Sequence, residues 1–486
     1  MNESVPAARV LPELCSFGAV ALAELIRRRD VSAVEVMRTH LDHIERVNPA
    51  VNAIISLRPR DELLAEARKA DEALARGDTV SPLHGVPQAI KDLALTKGLR
   101  TTFGSHLFAD FVPDQDAIIV ERMRAAGALI IGKTNVPEYG YGSNSYNPIF
   151  GLTRNAYDQS RVGGGSSGGA AVALALRMLS VADGGDMGGS LRNPAAFNNV
   201  FGFRPSQGLV PAETLDPFYG QMAVEGPMGR SIDDVAMLLS VQAGSDPRAP
   251  LSYDDPRLTQ WRSLRQTLAG VRFGWLGDLG GHLPFEPGVL ELCQEASRLL
   301  EAAGGQVEPA TIAFDPERLW QAWVTLRSHS ISGRHQNDYG NPETRRLLNP
   351  QTIWEIENGQ SRSGLAVYEA GLARGAWHKA LLRAFERFDF LLLPSAQVFP
   401  FEAETRWPTE IAGRRMDSYH RWMEVVIGPT FAGAPAVSVP AGFNEAGLPM
   451  GLQIIAAPRR DADLLAVASL YEKLCPWLSR LPALLS

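Results

Sequence analysis

Four side chains, set in two glycine-rich stretches and one apolar run, have the types that acyl-transfer chemistry needs. The first stretch, Gly163-Gly164-Gly165-Ser166-Ser167-Gly168-Gly169, holds two hydroxyls in a backbone nearly free of side chains. The second, Gly185-Asp186-Met187-Gly188-Gly189-Ser190-Leu191-Arg192, places a serine directly after two glycines. A turn of that kind aims several amide N–H groups into one concavity, which is what a tetrahedral oxyanion requires. Upstream, the run Leu83-His84-Gly85-Val86-Pro87-Gln88-Ala89-Ile90 ends on Lys91 and Asp92. A lysine in apolar surroundings loses solvation of its charged form, so its pKa falls toward neutrality and it can act as a base.

Other chemistries compete for the same glycines. Gly163, Gly165 and Gly168 fit the dinucleotide loop G-x-G-x-x-G, and Asp183 stands where a ribose-binding acid is expected. Gly165, Ser167 and Gly169 fit the nucleophile elbow G-x-S-x-G. Both need a buried strand leading into the loop, and the residues before it, Tyr157-Asp158-Gln159-Ser160-Arg161-Val162, read as a polar loop instead. A third match, Gly127-Ala128-Leu129-Ile130-Ile131-Gly132-Lys133-Thr134, satisfies the P-loop expression literally. Its apolar middle predicts a core strand rather than a phosphate cradle, and Pro137 stands where the following helix should run.

The elements that must position these residues are legible in outline. Apolar residues at spacings of three and four predict helices over 20–47 and 60–76, with a stop at Gly77 and Asp78. Beyond residue 80, short apolar runs at 128–131, 389–393, 436–439 and 451–455 read as buried strands. They alternate with helical stretches near 116–126, 168–178, 231–241, 287–303 and 461–474. That alternation predicts an α/β fold with helices on both faces of a sheet. Six of the nine tryptophans (Trp320, Trp323, Trp354, Trp377, Trp407, Trp422) fall in a stretch of weak strand signal, which reads as an irregular, largely helical cap.

Composition narrows the class. The chain has 486 residues, 45% of them hydrophobic, enough for a large core. Its net charge of -7 argues against nucleic-acid and anionic-membrane partners. Three widely spaced cysteines (Cys15, Cys293, Cys475) and the lack of C-x-x-C or H-E-x-x-H give no support to zinc or a disulfide framework. They predict a reduced, cytoplasmic setting. The first fifteen residues do not read as a secretory signal, and no apolar run is long enough to span a membrane.

The blocks LHGVPQAIKDL, GGGSSGG and DMGGSLRNPAAF, in this order, resemble the three signature blocks of the amidase signature family of serine hydrolases. The spacings agree, with 75 residues from Lys91 to Ser166 and 24 from Ser166 to Ser190. The resemblance runs from about residue 17 to 475 and includes TNVPEY at 134–139, NPIFGLTRNAYD at 147–158 and GAPAVSVPAGFNEAGLPMGLQIIA at 433–456. It implies the amidase signature fold, a mixed twisted β-sheet covered by helices on both faces, as one domain over 1–486. Its parts are a helical segment at 17–77, a core with the catalytic blocks at 80–245, a cap at 320–422 and a C-terminal core block at 430–475.

The resemblance also implies roles. Ser190 aligns with the nucleophile, Ser166 with the serine that bridges nucleophile and lysine through a cis peptide, and Lys91 with the base. Met187, Gly188, Gly189 and Ser190 supply oxyanion-hole amides. Ser167, Asp186 and Arg192 take supporting positions, and Gly140, Tyr141, Gly142 and Ser143 line the substrate cleft. His84 is assigned to a turn. The implied activity is hydrolysis of C–N acyl bonds in amides, extending to aryl carbamates and esters, without cofactor or metal. A homodimer is compatible with it. The alternative in the same fold is the glutaminase component of a tRNA-dependent amidotransferase, whose members usually carry DTGGS rather than DMGGS. Gln88, Met187, Asn198, Gly140 and Gly142 depart from common family residues and bear on substrate choice rather than on the triad.

Overall fold

The computed structural model describes residues 11–219 and 222–485, so the first ten residues, on which part of the signal-peptide reading rests, lie outside it. Two sheets organise the chain. A small one joins β1 (Ile54–Ile55), β2 (Pro87–Lys91) and β3 (Leu129–Thr134), with β3 central, antiparallel to β1 and parallel to β2. The large one contains β4 (Val181–Asp186), β5 (Phe201–Arg204), β6 (Val224–Gly229), β7 (Arg272–Trp275), β8 (Gln306–Pro309), β9 (Phe390–Pro394), β10 (Ala436–Phe443) and β11 (Pro449–Ile455). Their order is β8-β7-β9-β11-β10-β5-β6-β4. Only β7 pairs in parallel, with β8 and β9, so the sheet is mixed. Among the described residues no helix is long and apolar enough to cross a membrane.

The stretch at 20–47 divides into α1 (Ala19–Arg27) and α2 (Ala33–Val47). Local chemistry makes the break: Ser32 Oγ accepts the Glu35 N–H at 3.1 Å, and the Glu35 carboxylate accepts the Ser32 N–H at 2.8 Å. This capping box starts a new helix where the apolar period alone would continue the old one. Helix α3 (Arg60–Arg76) ends at Gly77, whose φ of 83° suits glycine. Helices α4 (Ile118–Ala125), α5 (Gly168–Ala175), α6 (Arg192–Phe197), α7 (Ile232–Gln242) and α8 (Val289–Ala302) follow. The segment assigned to a cap contains α9 (Pro316–Gly340), α10 (Pro350–Gln360) and α11 (Gly364–Arg387), the last two each packed on α9, and α12 (Asp461–Glu472) returns to the large sheet. Helices flank both faces of that sheet, as the alternating pattern predicts.

Helix α5 positions the chemistry. Every residue of GGAAVALA is buried, because the helix is wedged between the small sheet and the β4–β6 edge of the large one. A helix that is apolar all round belongs in such an interior site. Its first residues therefore meet the end of β2 and the strand β4, which is where Lys91, Ser166 and Ser167 converge. The literal P-loop is instead β3, with Lys133 buried and its Nζ 2.6 Å from the Ala94 carbonyl and 2.8 Å from Thr96 Oγ1.

Candidate active site

Lys91 is the last residue of β2 and is 2% exposed. Its Nζ lies 2.9 Å from Ser166 Oγ, 2.8 Å from Ser167 Oγ and 3.0 Å from the Gly185 carbonyl oxygen. Burial lowers the lysine pKa to about 8, against the opposing pull of Glu225, Asp183 and Asp186. Asp183 accepts the backbone N–H of Lys91 at 3.1 Å, and burial pushes its carboxyl up to about 6. Glu225 pairs with Gly185 across β6 and β4, and its carboxylate fills the space a Gly185 side chain would need, 2.8 Å from where a Cβ would stand. Burial raises Glu225 and the nearby Lys91 opposes that rise.

The two loop serines sit on a backbone that tolerates no added side chain. A Cβ on Gly165 would stand 2.9 Å from the Asn144 nitrogen, and one on Gly169 would stand 2.3 Å from the Asn135 nitrogen. The glycines thus let the loop press against neighbouring main chain. The Gly165–Ser166 peptide is cis. Ser143 Oγ donates to the Gly165 carbonyl, and the Gly168 N–H donates to Ser145 Oγ at 3.0 Å. Ser167 N–H donates to the Ser190 carbonyl at 3.2 Å, which ties the first serine loop to the second.

Ser190 occupies the turn between β4 and α6 and is 7% exposed. Its Oγ has no hydrogen-bond partner among the described residues, so the structure joins Lys91 to Ser166 but does not bond Ser166 to Ser190. Of the four amides assigned to an oxyanion hole, Gly189 N–H already donates to Asp186 Oδ1 at 3.0 Å. The Asp186 carboxylate thus engages this one of the four amides within the turn. No turn or loop bond engages the amides of Met187, Gly188 or Ser190 among the described residues.

Asp186 fastens the whole turn. It also accepts the Leu191 N–H at 3.1 Å and Arg192 Nε at 3.0 Å, and Arg204 pairs with it. Arg192 continues to the Val426 carbonyl at 2.8 Å, Gln453 Oε1 at 2.7 Å and Thr430 Oγ1 at 3.0 Å. Burial alone would raise the Asp186 pKa, but Arg192 and Arg204 outweigh it and hold the carboxyl well below the usual range. A carboxyl depressed in this way adds stability above its ordinary pKa and loses it as pH falls toward the folded value. Removing one partner of a buried charge network leaves the others unpaired. Asp186→Asn is therefore expected to lower unfolding stability by about 3–5 kcal/mol at neutral pH, read from the urea midpoint. An unchanged midpoint would show that the two arginines do not depend on this charge.

The four residues of the loop at 140–143, assigned to line the substrate cleft, have different surroundings. Gly140 touches the site, since a Cβ there would stand 3.3 Å from Ser166 Oγ and 2.8 Å from Leu93 Cδ1. Gly142 faces Tyr419. Tyr141 is buried with its hydroxyl 2.9 Å from His335 Nε2, and Ser143 is buried behind the serine loop, bonded to Asn193 Oδ1 at 3.0 Å. His84 contacts the Ala70 carbonyl at 3.0 Å, away from the serines. The cap reaches the nucleophile turn directly: Trp323 lies 3.4 Å from a Cβ on Gly188, and Arg327 Nη1 is 3.0 Å from Met187 Sδ. Beside Met187 opens a cavity of about 310 Å³ lined by residues that include Val210, Leu215, Tyr219, Met222 and His329.

Arg204, Gln453 and Glu225 escaped the sequence reading. Gln453 joins the Arg192 network across 261 residues, and no local pattern marks such a partner. Arg204 and Glu225 sit in short strands, FGFR and VEGPMG, whose glycines and proline hide their β character.

A buried lysine and hydroxyls carried on glycine turns thus meet at the edge of a mixed sheet. The family model described as Amidase matches residues 35–465, and the chain belongs to the amidase signature family. It is 32% identical to the acylamidase of Rhodococcus erythropolis over 471 residues, covering 96% of this chain and 97% of that one. It is also 32% identical to the A component of the glutamyl-tRNA(Gln) amidotransferase of Thermosynechococcus vestitus over 478 residues, covering 94% and 98%. Among solved structures, a bacterial aryl acylamidase of the amidase signature family superposes with a TM-score of 0.88 at 29% identity, covering 95% and 96%.

Proposed function

We propose that the chain hydrolyses carboxamides through an acyl-enzyme on Ser190, with Ser166 as proton relay and Lys91 as base. The observation that carries this reading is the 2.9 Å contact between the buried Lys91 Nζ and Ser166 Oγ. Neutral Lys91 takes the Ser166 proton while Ser166 takes that of Ser190, whose Oγ bonds to the carbonyl carbon. The Ser190 hydroxyl must turn toward Ser166 for this step, and catalytic bonds are often long before substrate binds. The amides of Met187, Gly188 and Ser190 stabilise the oxyanion. Collapse breaks the C–N bond, Ser166 returns a proton to the departing amine, and water then releases the acid.

The substrates we infer are bulky amides, with aryl amides foremost and aryl carbamates and esters as further candidates. The Trp323 ring beside Gly188 and the Leu215, Tyr219 and Met222 side chains around the cavity support an aromatic or long apolar group. The three cysteines are buried and unpaired, which supports the cytoplasmic assignment. The purified chain alone is expected to release nitroaniline from nitroanilides, followed by absorbance. Activity on glutamine that appears only with added partner proteins would overturn the reading. That outcome would favour an amidotransferase component, which the 32% identity to one such protein supports.

A further inference from the structure

We propose that the exposed face of α11 is a homodimer seam, on which a second copy of the chain packs its own α11 antiparallel. The helix carries two apolar faces. One, with Val367, Ala370, Trp377, Leu381 and Ala384, is buried against the body of the protein. The other presents Leu365, Tyr368, Leu372 and Leu382 to solvent at 66%, 64%, 56% and 41% exposure. A surface helix needs only one apolar face for its own core.

The exposed face has coiled-coil spacing. Leu365, Tyr368, Leu372, Gly375, Lys379 and Leu382 follow one another at intervals of 3, 4, 3, 4 and 3 residues. Gly375 and its neighbour Gly371 have open space where a Cβ would stand. Glycine is the poorest helix former after proline, and on a seam it admits close approach of a partner.

The sequence is self-complementary about a two-fold axis midway between Leu372 and Gly375. Antiparallel pairing sets Leu365 against the partner's Leu382, Tyr368 against the partner's Lys379 and Leu372 against the partner's Gly375. Each layer is then matched: apolar on apolar, cation on aromatic ring, and large on small. The same contacts recur with the copies exchanged, as a closed isologous dimer demands.

Charge outside the seam agrees. Glu369 and the partner's Arg383 stand about 7.5 Å apart along the axis in this register. Their side chains lean toward each other, because helical side chains tilt to their own N-termini. Among the described residues, Glu369, Lys379 and Arg383 make no ion pair within the chain, which leaves them free to pair across the axis.

Sedimentation equilibrium of the full chain, from nanomolar to hundreds of micromolar, tests the proposal. A reversible dimer is expected, and Leu372→Glu is expected to weaken it at least about 30-fold while leaving circular dichroism and hydrolysis unchanged. Register is read by oxidative cross-linking of the Leu365→Cys, Leu382→Cys double variant, since the native cysteines are buried. That variant is expected to give a covalent dimer and each single variant none, because like positions lie about 25 Å apart. A chain monomeric throughout, a dimer indifferent to Leu372→Glu, or cross-linking by either single variant would overturn it.

Discussion

Ser190→Ala is expected to reduce amide hydrolysis by at least about 10⁴-fold while leaving the fold in place. The size follows from what the substitution removes. Without Oγ there is no acyl-enzyme, and only substrate binding and the main-chain amides of residues 187, 188 and 190, which the substitution keeps, still act on a water attack. The fold should survive because Ser190 Oγ makes no hydrogen bond among the described residues, whereas the Ser190 carbonyl, which the substitution keeps, holds Ser167. A fluorophosphonate provides the second readout: intact mass should show one adduct on the wild type and none on the variant. If the variant keeps its rate or its adduct, the nucleophile lies elsewhere. Ser167 would be the next candidate to test, because its Oγ is as close to the lysine as that of Ser166.

The parts of this site differ in how far sequence could reveal them. Lys91, Ser166 and Ser190 lie in short blocks whose glycines and small residues are unusual enough to be seen, and the cis peptide before Ser166 follows that resemblance. Long strands such as β10 and β11 are also legible, because both faces are buried and most of their residues, Ser438 and Gln453 apart, are apolar or small. The edge strand β4 reads VADGGD and has no strand propensity. It is a strand because Gly184 and Gly185 allow Ser167 and Glu225 to approach, and because β6 supplies its ladder. The role of Asp183 has no local signature, and the dinucleotide loop its spacing would suit is already opposed by the polar residues before Gly163. Its spacing from Gly163 fits a ribose-binding acid, yet its carboxylate is buried on the backbone N–H of Lys91. The Gly189 amide is opaque for a related reason, since its acceptor within the turn, Asp186, shows only once the turn is folded.

The second large effect is the pH dependence that Lys91 should impose. Only the neutral amine can accept a proton, and burial brings its pKa to about 8. The sign is fixed by the charge type: below that value the amine is protonated and the relay stops, and above it the rate reaches a plateau. At pH 6 only about one lysine in a hundred is neutral, so kcat/KM should lie about 100-fold below the plateau. Lys91→Met keeps the length of the side chain and removes the base, and it is expected to lower the plateau by about 10²–10⁴-fold and to abolish the acid limb. The neighbouring acids set the limb's position: Glu225, Asp183 and Asp186 all favour the charged lysine. Their combined pull is weaker than the desolvation, which is why the base remains usable near neutral pH. A rate that stays flat to pH 5, or an acid limb that persists in Lys91→Met, would assign the titration to another group and remove Lys91 from the relay. The profile also separates a base from a merely structural lysine, because loss of packing alone would scale the rate equally at every pH.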